Sequence, residues 1–182
     1  MEKKLHLNLK IGAEGKIDDA EKFILRVANQ LAEQKKLPFY LETLRLKEDL
    51  VINSTRIAKG ILSCINNSWL GIHLDTFHAE SNDRIASHAL KVGGAYVGYV
   101  HASGTNRSIP GDKDDKIDWD DVALKLTEIN FQGWVTVEAF GQGAAAEIPD
   151  IVTGLSTPKS VTDILAISGK TLRKAGIIAP LK

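Results

Sequence analysis

An α/β fold with a parallel sheet is predicted by three features of the sequence. Short apolar runs at residues 37–42, 69–74, 95–100 and 133–137 have strand length, segments of helical period separate them, and the runs close on Glu42, Asp75, His101 and Glu138. Strands joined by helical crossovers return to the same edge and run parallel. Their carboxyl ends then share one rim, where parallel α/β folds carry their chemistry.

The elements follow in order. Leu5, Leu7, Leu9 and Ile11 alternate with His6, Asn8 and Lys10, as in a strand with one buried face, until Gly12 and Gly15 break the pattern; His6 reads as a solvated strand residue. Asp18 and Glu21 open a helix with the stripe Ala20, Phe23, Ile24, Val27 and Leu31, ending near Lys35 and Lys36. After the first strand, a loop with Arg45, Lys47, Glu48 and Asp49 leads to a helix over 54–66 that offers Ile57, Ile61 and Leu62 for packing. Beyond Asp75 and His78 a polar helix carries Ile85, Ala86, Ala89, Leu90 and Val92, and Gly93-Gly94 ends it. The loop over 102–117, with Arg107 and Pro110-Gly111, is too long for a tight turn. Asp118 caps a helix with Trp119, Val122, Leu126 and Ile129 on one face. A Gly/Ala-rich stretch at 141–146 precedes a last helix over 160–174, closed by Gly176.

Composition narrows the function classes. The chain has 182 residues, 43% of them hydrophobic, enough for one core and a single domain over 1–182. Lys plus Arg and Asp plus Glu number 23 each, so no net field favours nucleic acid or a membrane surface. The lone Cys64 cannot form an internal disulfide, Met1-Glu2-Lys3-Lys4 runs into alternating residues rather than an apolar signal core, and no stretch reaches the roughly 20 apolar residues of a membrane helix. The expected setting is cytoplasmic.

An isolated Asp-x-x-His such as Asp75 with His78 has a plain reading, a turn cap followed by a surface histidine, and a carboxylate at a strand end is often only a helix cap. Four successive strands ending this way point further. Two glutamates, one aspartate and one histidine form an oxygen-rich set that suits a divalent ion, manganese first, with magnesium or cobalt as alternatives, better than a structural zinc.

The motifs Leu74-Asp75-Thr76-Phe77-His78, Val100-His101 through Asn106-Arg107 and Pro110-Gly111, Val137-Glu138-Ala139-Phe140, and Leu41-Glu42-Thr43-Leu44 followed by Glu48 resemble the carboxyl-terminal half of the ketose 3-epimerases of the D-tagatose/D-psicose type, within the xylose-isomerase-like barrels. The resemblance covers about residues 18–140. It implies a partial (half) TIM barrel of four to five parallel βα units. It also implies a divalent metal on Glu42, Asp75, His101 and Glu138, substrate contacts from Glu48, His78 and Arg107, and an epimerase or isomerase that acts on a ketose sugar through an enediolate. Glu42 and Glu138 would be the catalytic proton carriers. Arg45-Leu46 stands where the family usually has Asn-Arg, Ala79-Glu80-Ser81-Asn82 lacks its acidic pair, and Ile151-Val152-Thr153 replaces its tryptophan-arginine, changes that bear on substrate identity.

A complete eight-stranded barrel takes about 250 residues, and this sequence has no counterparts of the first three strands. Open sheet edges would call for self-association, a companion half-barrel or a rearranged end strand, with the 1–11 segment as one cover. The alternative function is a catalytically silent half-barrel that binds sugar or metal, or only folds. A metal nuclease on a related barrel is disfavoured by the zero net charge and the absence of additional strand-end histidines.

Overall fold

The computed structural model describes residues 22, 26, 29–46, 48, 51–83, 85–140 and 160–179. The alternating 5–11 run, the cap at Asp18, the 141–146 stretch and the 151–153 departure lie outside the described residues. Among the described residues four strands, β1 (Phe39–Glu42), β2 (Leu70–Asp75), β3 (Val97–Ala102) and β4 (Trp134–Val137), form one sheet in sequential order with every pair parallel. The helices are α1 (Asn29–Lys35), α2 (Thr55–Ile65), α3 (Thr76–Asn82), α4 (Ala86–Gly93), α5 (Trp119–Glu128) and α6 (Val161–Lys174). The predicted strand-helix alternation and parallel sheet are therefore present.

The sheet has two faces of different chemistry because alternate side chains point in opposite directions. Phe39 and Leu41 of β1, Leu70, Ile72 and Leu74 of β2, and Val100 and Ala102 of β3 join one core. Ala58, Ile61 and Leu62 of α2, Ala89 and Leu90 of α4, and Trp119, Val122 and Leu126 of α5 complete it. Each such large aliphatic side chain, taken fully out of water, contributes about 1.5–3 kcal/mol. The opposite face carries Tyr40 and Glu42, then His73 and Asp75, then Tyr99 and His101, then Trp134 and Thr136, as the pairings Glu42↔His73, Asp75↔His101 and His101↔Thr136 require. Trp134, on the last strand of this sheet, is 62% exposed.

Local signals set the helix ends. Ser54 Oγ accepts from the amide of Ile57 to start α2, and Asn66 ends it in the left-handed region at φ 51°. Asp118 caps α5 by accepting from Asp121 N at 3.0 Å, and a reciprocal capping box joins Ser160 and Asp163 at α6. Lys36 and Gly176, at φ 52° and 79°, close α1 and α6 where the sequence predicts. Leu31, assigned to an apolar stripe, is exposed.

One element differs from expectation. The single polar helix predicted beyond His78 is two helices: α3 begins at Thr76, directly on the strand end, and ends with Asp83 as its C-cap, while Ile85 is the N-cap of α4. Ile85 is the N-cap of α4 and 54% exposed instead of part of an apolar face. Asp75 accounts for the early start, because its side chain caps α3 at once. His78 is therefore a buried helical residue, not the surface histidine of the plain reading. No helix among the described residues is long and apolar enough to cross a membrane.

Two glycines test the packing in opposite senses. A Cβ at Gly133 would sit 2.0 Å from the backbone oxygen of Gly98, so Gly133→Ala should destabilise the chain by about 1–3 kcal/mol in urea unfolding. Gly60, exposed inside α2 with nothing within 4 Å of an added Cβ, should accept Ala with a gain of about 0.5–1 kcal/mol. Equal effects of the two substitutions would contradict this packing.

Candidate metal centre

The parallel sheet delivers Glu42, Asp75, His101 and Glu138 to one rim, and their side chains converge. Each contributes one donor atom to a group in which all four atoms lie within 4.8 Å of one another. His101 Nδ1 stands 3.4 Å from Glu138 Oε2, 3.7 Å from Asp75 Oδ2 and 3.8 Å from Glu42 Oε1, and it makes no hydrogen bond. These separations suit a shared ion. Donors about 2.1 Å from a common cation stand about 3.0–3.4 Å apart when adjacent and about 4.2 Å apart when opposed.

Asp75 is held from two sides. Its Oδ1 accepts from the amides of Phe77 at 2.8 Å and His78 at 3.2 Å, which caps α3, while Oδ2 faces the cluster and accepts from Arg107 Nη1 at 2.9 Å. Thr76 Oγ1 donates to Ser103 O and accepts from Ser103 N, tying the end of β2 to the end of β3. The amide of Glu138 donates to Ala102 O at 3.0 Å, so the ladder extends one residue past β4 and brings that carboxylate to the rim.

Arg107 reaches the cluster from the long loop after β3. Nη1 contacts both Asp75 and Glu138, Nη2 lies 2.6 Å from His78 Nε2, and the guanidinium carbon lies over the rings of Phe77 and Phe140 at 4.7 and 4.9 Å. Asn106 and Arg107 both occupy the left-handed region, at φ 58° and 63°, a conformation that costs non-glycine residues about 1–2 kcal/mol each. The loop is held by Asp115, whose carboxylate accepts from Thr105 N, Gly111 N, Ile117 N and Trp119 Nε1, and by the amide of Phe140, which donates to Arg107 O.

The electrostatics follow from crowding. With His101 neutral and all three carboxylates ionised, as ligation requires, the carboxylates and the Arg107 guanidinium leave two negative charges, which a divalent ion would balance. Burial and the Asp75 carboxylate push Glu42 up to about 7, and burial raises Asp75. Burial works against a charged His101, but Asp75 and Glu138 outweigh it and hold its proton to about 9. Burial likewise opposes ionised Glu138, yet His101 and Arg107 keep that carboxyl well below the usual range. The oxygen-rich donor set, the spacing of the donors and the charge balance all fit a hard or intermediate divalent cation.

Six of the seven residues singled out from sequence thus form one connected cluster: Glu42, Asp75, His78, His101, Arg107 and Glu138. Glu48 stands a step away, paired with Arg45 Nε at 2.6 Å, while the amide of Arg45 donates to His78 Nδ1 at 3.0 Å. His73 and Asp115 were not singled out. His73 was legible, since it lies two residues before Asp75 on the same face of a strand; Asp115 sits in a charged loop and carried no local signal.

His78 offers a check of this geometry. Burial, then Arg107, drives its pKa down to about 2 from 6.5, so the ring is neutral. Holding the ring neutral costs nothing above pH about 6.5, where an unfolded histidine is neutral too; below it the unfolded chain takes up the proton that the folded ring refuses, so stability falls as pH drops. Its ring resonances should not move between about pH 5 and 9 in NMR, whereas a midpoint near 6.5 would place it in water.

Comparison with known proteins agrees with this architecture. Residues 6–156 match the model of the xylose isomerase-like TIM barrel family. D-psicose 3-epimerase of Ruminiclostridium cellulolyticum is 28% identical over 116 residues, covering 64% of this chain and 39% of that protein. Ketose 3-epimerase of Arthrobacter globiformis is 30% identical over 111 residues, 61% of this chain and 37% of that one. The crystal structure of D-psicose 3-epimerase with D-tagatose from Clostridium cellulolyticum superposes with a TM-score of 0.75 at 22% identity, covering 91% of this chain and 57% of that chain. A structure of L-ribulose 3-epimerase gives a TM-score of 0.69 at 18% identity over 95% and 61%. The matched segment is under two fifths of those relatives' length in sequence. With its four-stranded parallel sheet corresponding to part of such a barrel, the chain belongs to the xylose isomerase-like TIM barrel family.

Proposed function

We propose that this chain carries the metal centre and the proton-transfer groups of an epimerase or isomerase acting on a ketose sugar. The observation behind this reading is the convergence of Glu42, Asp75, His101 and Glu138 at the carboxyl ends of four adjacent parallel strands. These four residues would hold a divalent ion, manganese first, with magnesium or cobalt as alternatives. When bound, such an ion supplies Lewis acidity that polarises a ketose carbonyl and favours the enediolate.

The positions of the remaining groups support roles for them. His78 Nδ1 is taken by the Arg45 amide, so the proton of the neutral ring sits on Nε2, which faces the Arg107 guanidinium. Two donors aimed at each other are a poor pair alone, and a substrate oxygen accepting from both would satisfy them. Glu48 would reinforce this end through Arg45. Epimerisation takes a proton from one face of a carbon and returns one to the other, which requires two carriers. Glu42 and Glu138 follow from the first and last strands of the described sheet and flank the cluster. The exposed Cys64 is compatible with a reducing, cytoplasmic setting. β1 and β4 are the edges of the described sheet, and a second copy of the chain or a companion half-barrel would cover them.

A second reading is favoured by one observation. The matched segment spans 39% of the first epimerase above, so a silent half-barrel that binds metal or sugar without turnover is the competing function.

Two experiments decide between them. An ion can be held only after His101 and Glu42 lose the protons they retain to about 9 and about 7, so affinity should rise with pH across that window. Manganese binding at pH 7 should release about one to two protons, read by calorimetry in buffers of different ionisation enthalpy. Uptake without proton release would count against these ligands. In the second experiment, Glu138→Gln should slow exchange of a ketose α-proton with deuterated solvent by at least about 10²-fold while leaving the fold intact. Exchange at the wild-type rate would remove Glu138 as a proton carrier. Bound metal with no exchange in the wild-type chain would favour the silent half-barrel.

A further inference from the structure

His73 is a buried imidazole beside the centre that the proposed mechanism does not use. It lies two residues before Asp75 on the cluster face of β2, one layer deeper. The β1–β2 register pairs Glu42 with His73, not with Asp75, so Glu42 can reach both layers. His73 Nδ1 stands 4.0 Å from Glu42 Oε2, and the His73 ring meets His101 edge-on with centroids 4.0 Å apart. Donor atoms of Glu42, His73 and His101 all lie within 4.8 Å of one another.

We propose that His73 is a further metal ligand, giving the centre a second, inner ion position made by Glu42, His73 and His101 and selective for imidazole-preferring divalent ions such as zinc. This rests on reading Glu42, Asp75, His101 and Glu138 as a metal centre. The two sets share Glu42 and His101 but differ in chemistry. The outer four offer three carboxylates and one imidazole, a set suited to manganese or magnesium. The inner three offer two imidazoles and one carboxylate, the ligand types of zinc sites that keep a fourth position open. Zinc–nitrogen bonds of about 2.0–2.1 Å would put neighbouring ligand atoms about 3.3 Å apart. Ligation of one ion by both would require the present 4.0 Å between His73 Nδ1 and Glu42 Oε2 to shorten. An ion drawn inward leaves Asp75 and Glu138 to Arg107, which already bridges them. Which ion is offered would therefore decide which carboxylates it engages.

X-ray absorption at the metal edge of the full chain, loaded in turn with zinc and with manganese, tests this without any substitution. Two imidazoles around zinc and one around manganese are expected; one around each overturns the proposal. His73→Asn should weaken zinc binding at least about tenfold and manganese binding less than about threefold, with circular dichroism confirming the fold. Equal losses for both ions would show a positioning role only and overturn ligation, as would no loss. If neither ion binds the wild-type chain, the metal centre falls and this inference with it. Manganese binding beside a one-imidazole zinc site overturns this inference alone.

Discussion

The carboxylate of Asp75, wholly buried at the end of β2, is shared between the fold and the site. Oδ1 takes two amide hydrogens of α3, and Oδ2 faces His101 and Arg107. The cap starts the helix on the first residue after the strand, and that immediate turn brings His78 back over the strand end with its ring against Arg107. A cap is commonly worth about 1 kcal/mol, while a buried charge left without its partner costs several. The same carboxylate therefore couples local folding to the chemistry of the rim, and a substitution here would disturb both.

Around that carboxylate the site is built from opposed charges at close range. Acid groups crowd together because parallel strands deliver their ends to one place, and burial together with the neighbouring Asp75 carboxylate raises Glu42 to about 7. Arg107 offsets part of this. The loop holds it there at a cost in backbone strain at two successive residues, offset by the hydrogen bonds of Asp115 and by two aromatic rings. Strain sustained by such a network is commonly found at functional positions. Its location beside three carboxylates accords with a cationic group whose place is set by the site and not by packing alone.

The sheet also has an organisation in depth. Its helix-facing side is an apolar core; its other side carries Tyr40, His73, Tyr99 and Trp134 beneath the strand-end residues. In a closed barrel, inward side chains from all strands fill such an interior in layers. Among the described residues four strands supply their share, and Trp134 on the last of them is largely exposed. The layer holding His73 lies directly under the candidate ligands, so the chemistry of that layer bears on the ion above it.

Much of this was legible in the linear chain. Apolar runs of strand length between helical periods dictate a parallel sheet, because a helical crossover returns the chain to the same edge, and a residue closing each run must then reach the common rim. Glu42, Asp75, His101 and Glu138 needed no further information. Capping residues Ser54, Asp118 and Ser160 act within a few residues of themselves and were equally readable, as was the period-two relation of His73 to Asp75. What the tertiary structure alone decided depends on residues far apart in sequence. The β1–β2 register sets Glu42 level with His73, the long loop turns Arg107 back onto Asp75 and Glu138, and Asp115 organises that loop through contacts up to ten residues away. Even the end of α3 depends in part on long-range contacts, since its C-cap Asp83 accepts from Thr55 across 28 residues. Local periodicity carries no record of such pairings, which exist only once the sheet has brought the strand ends together.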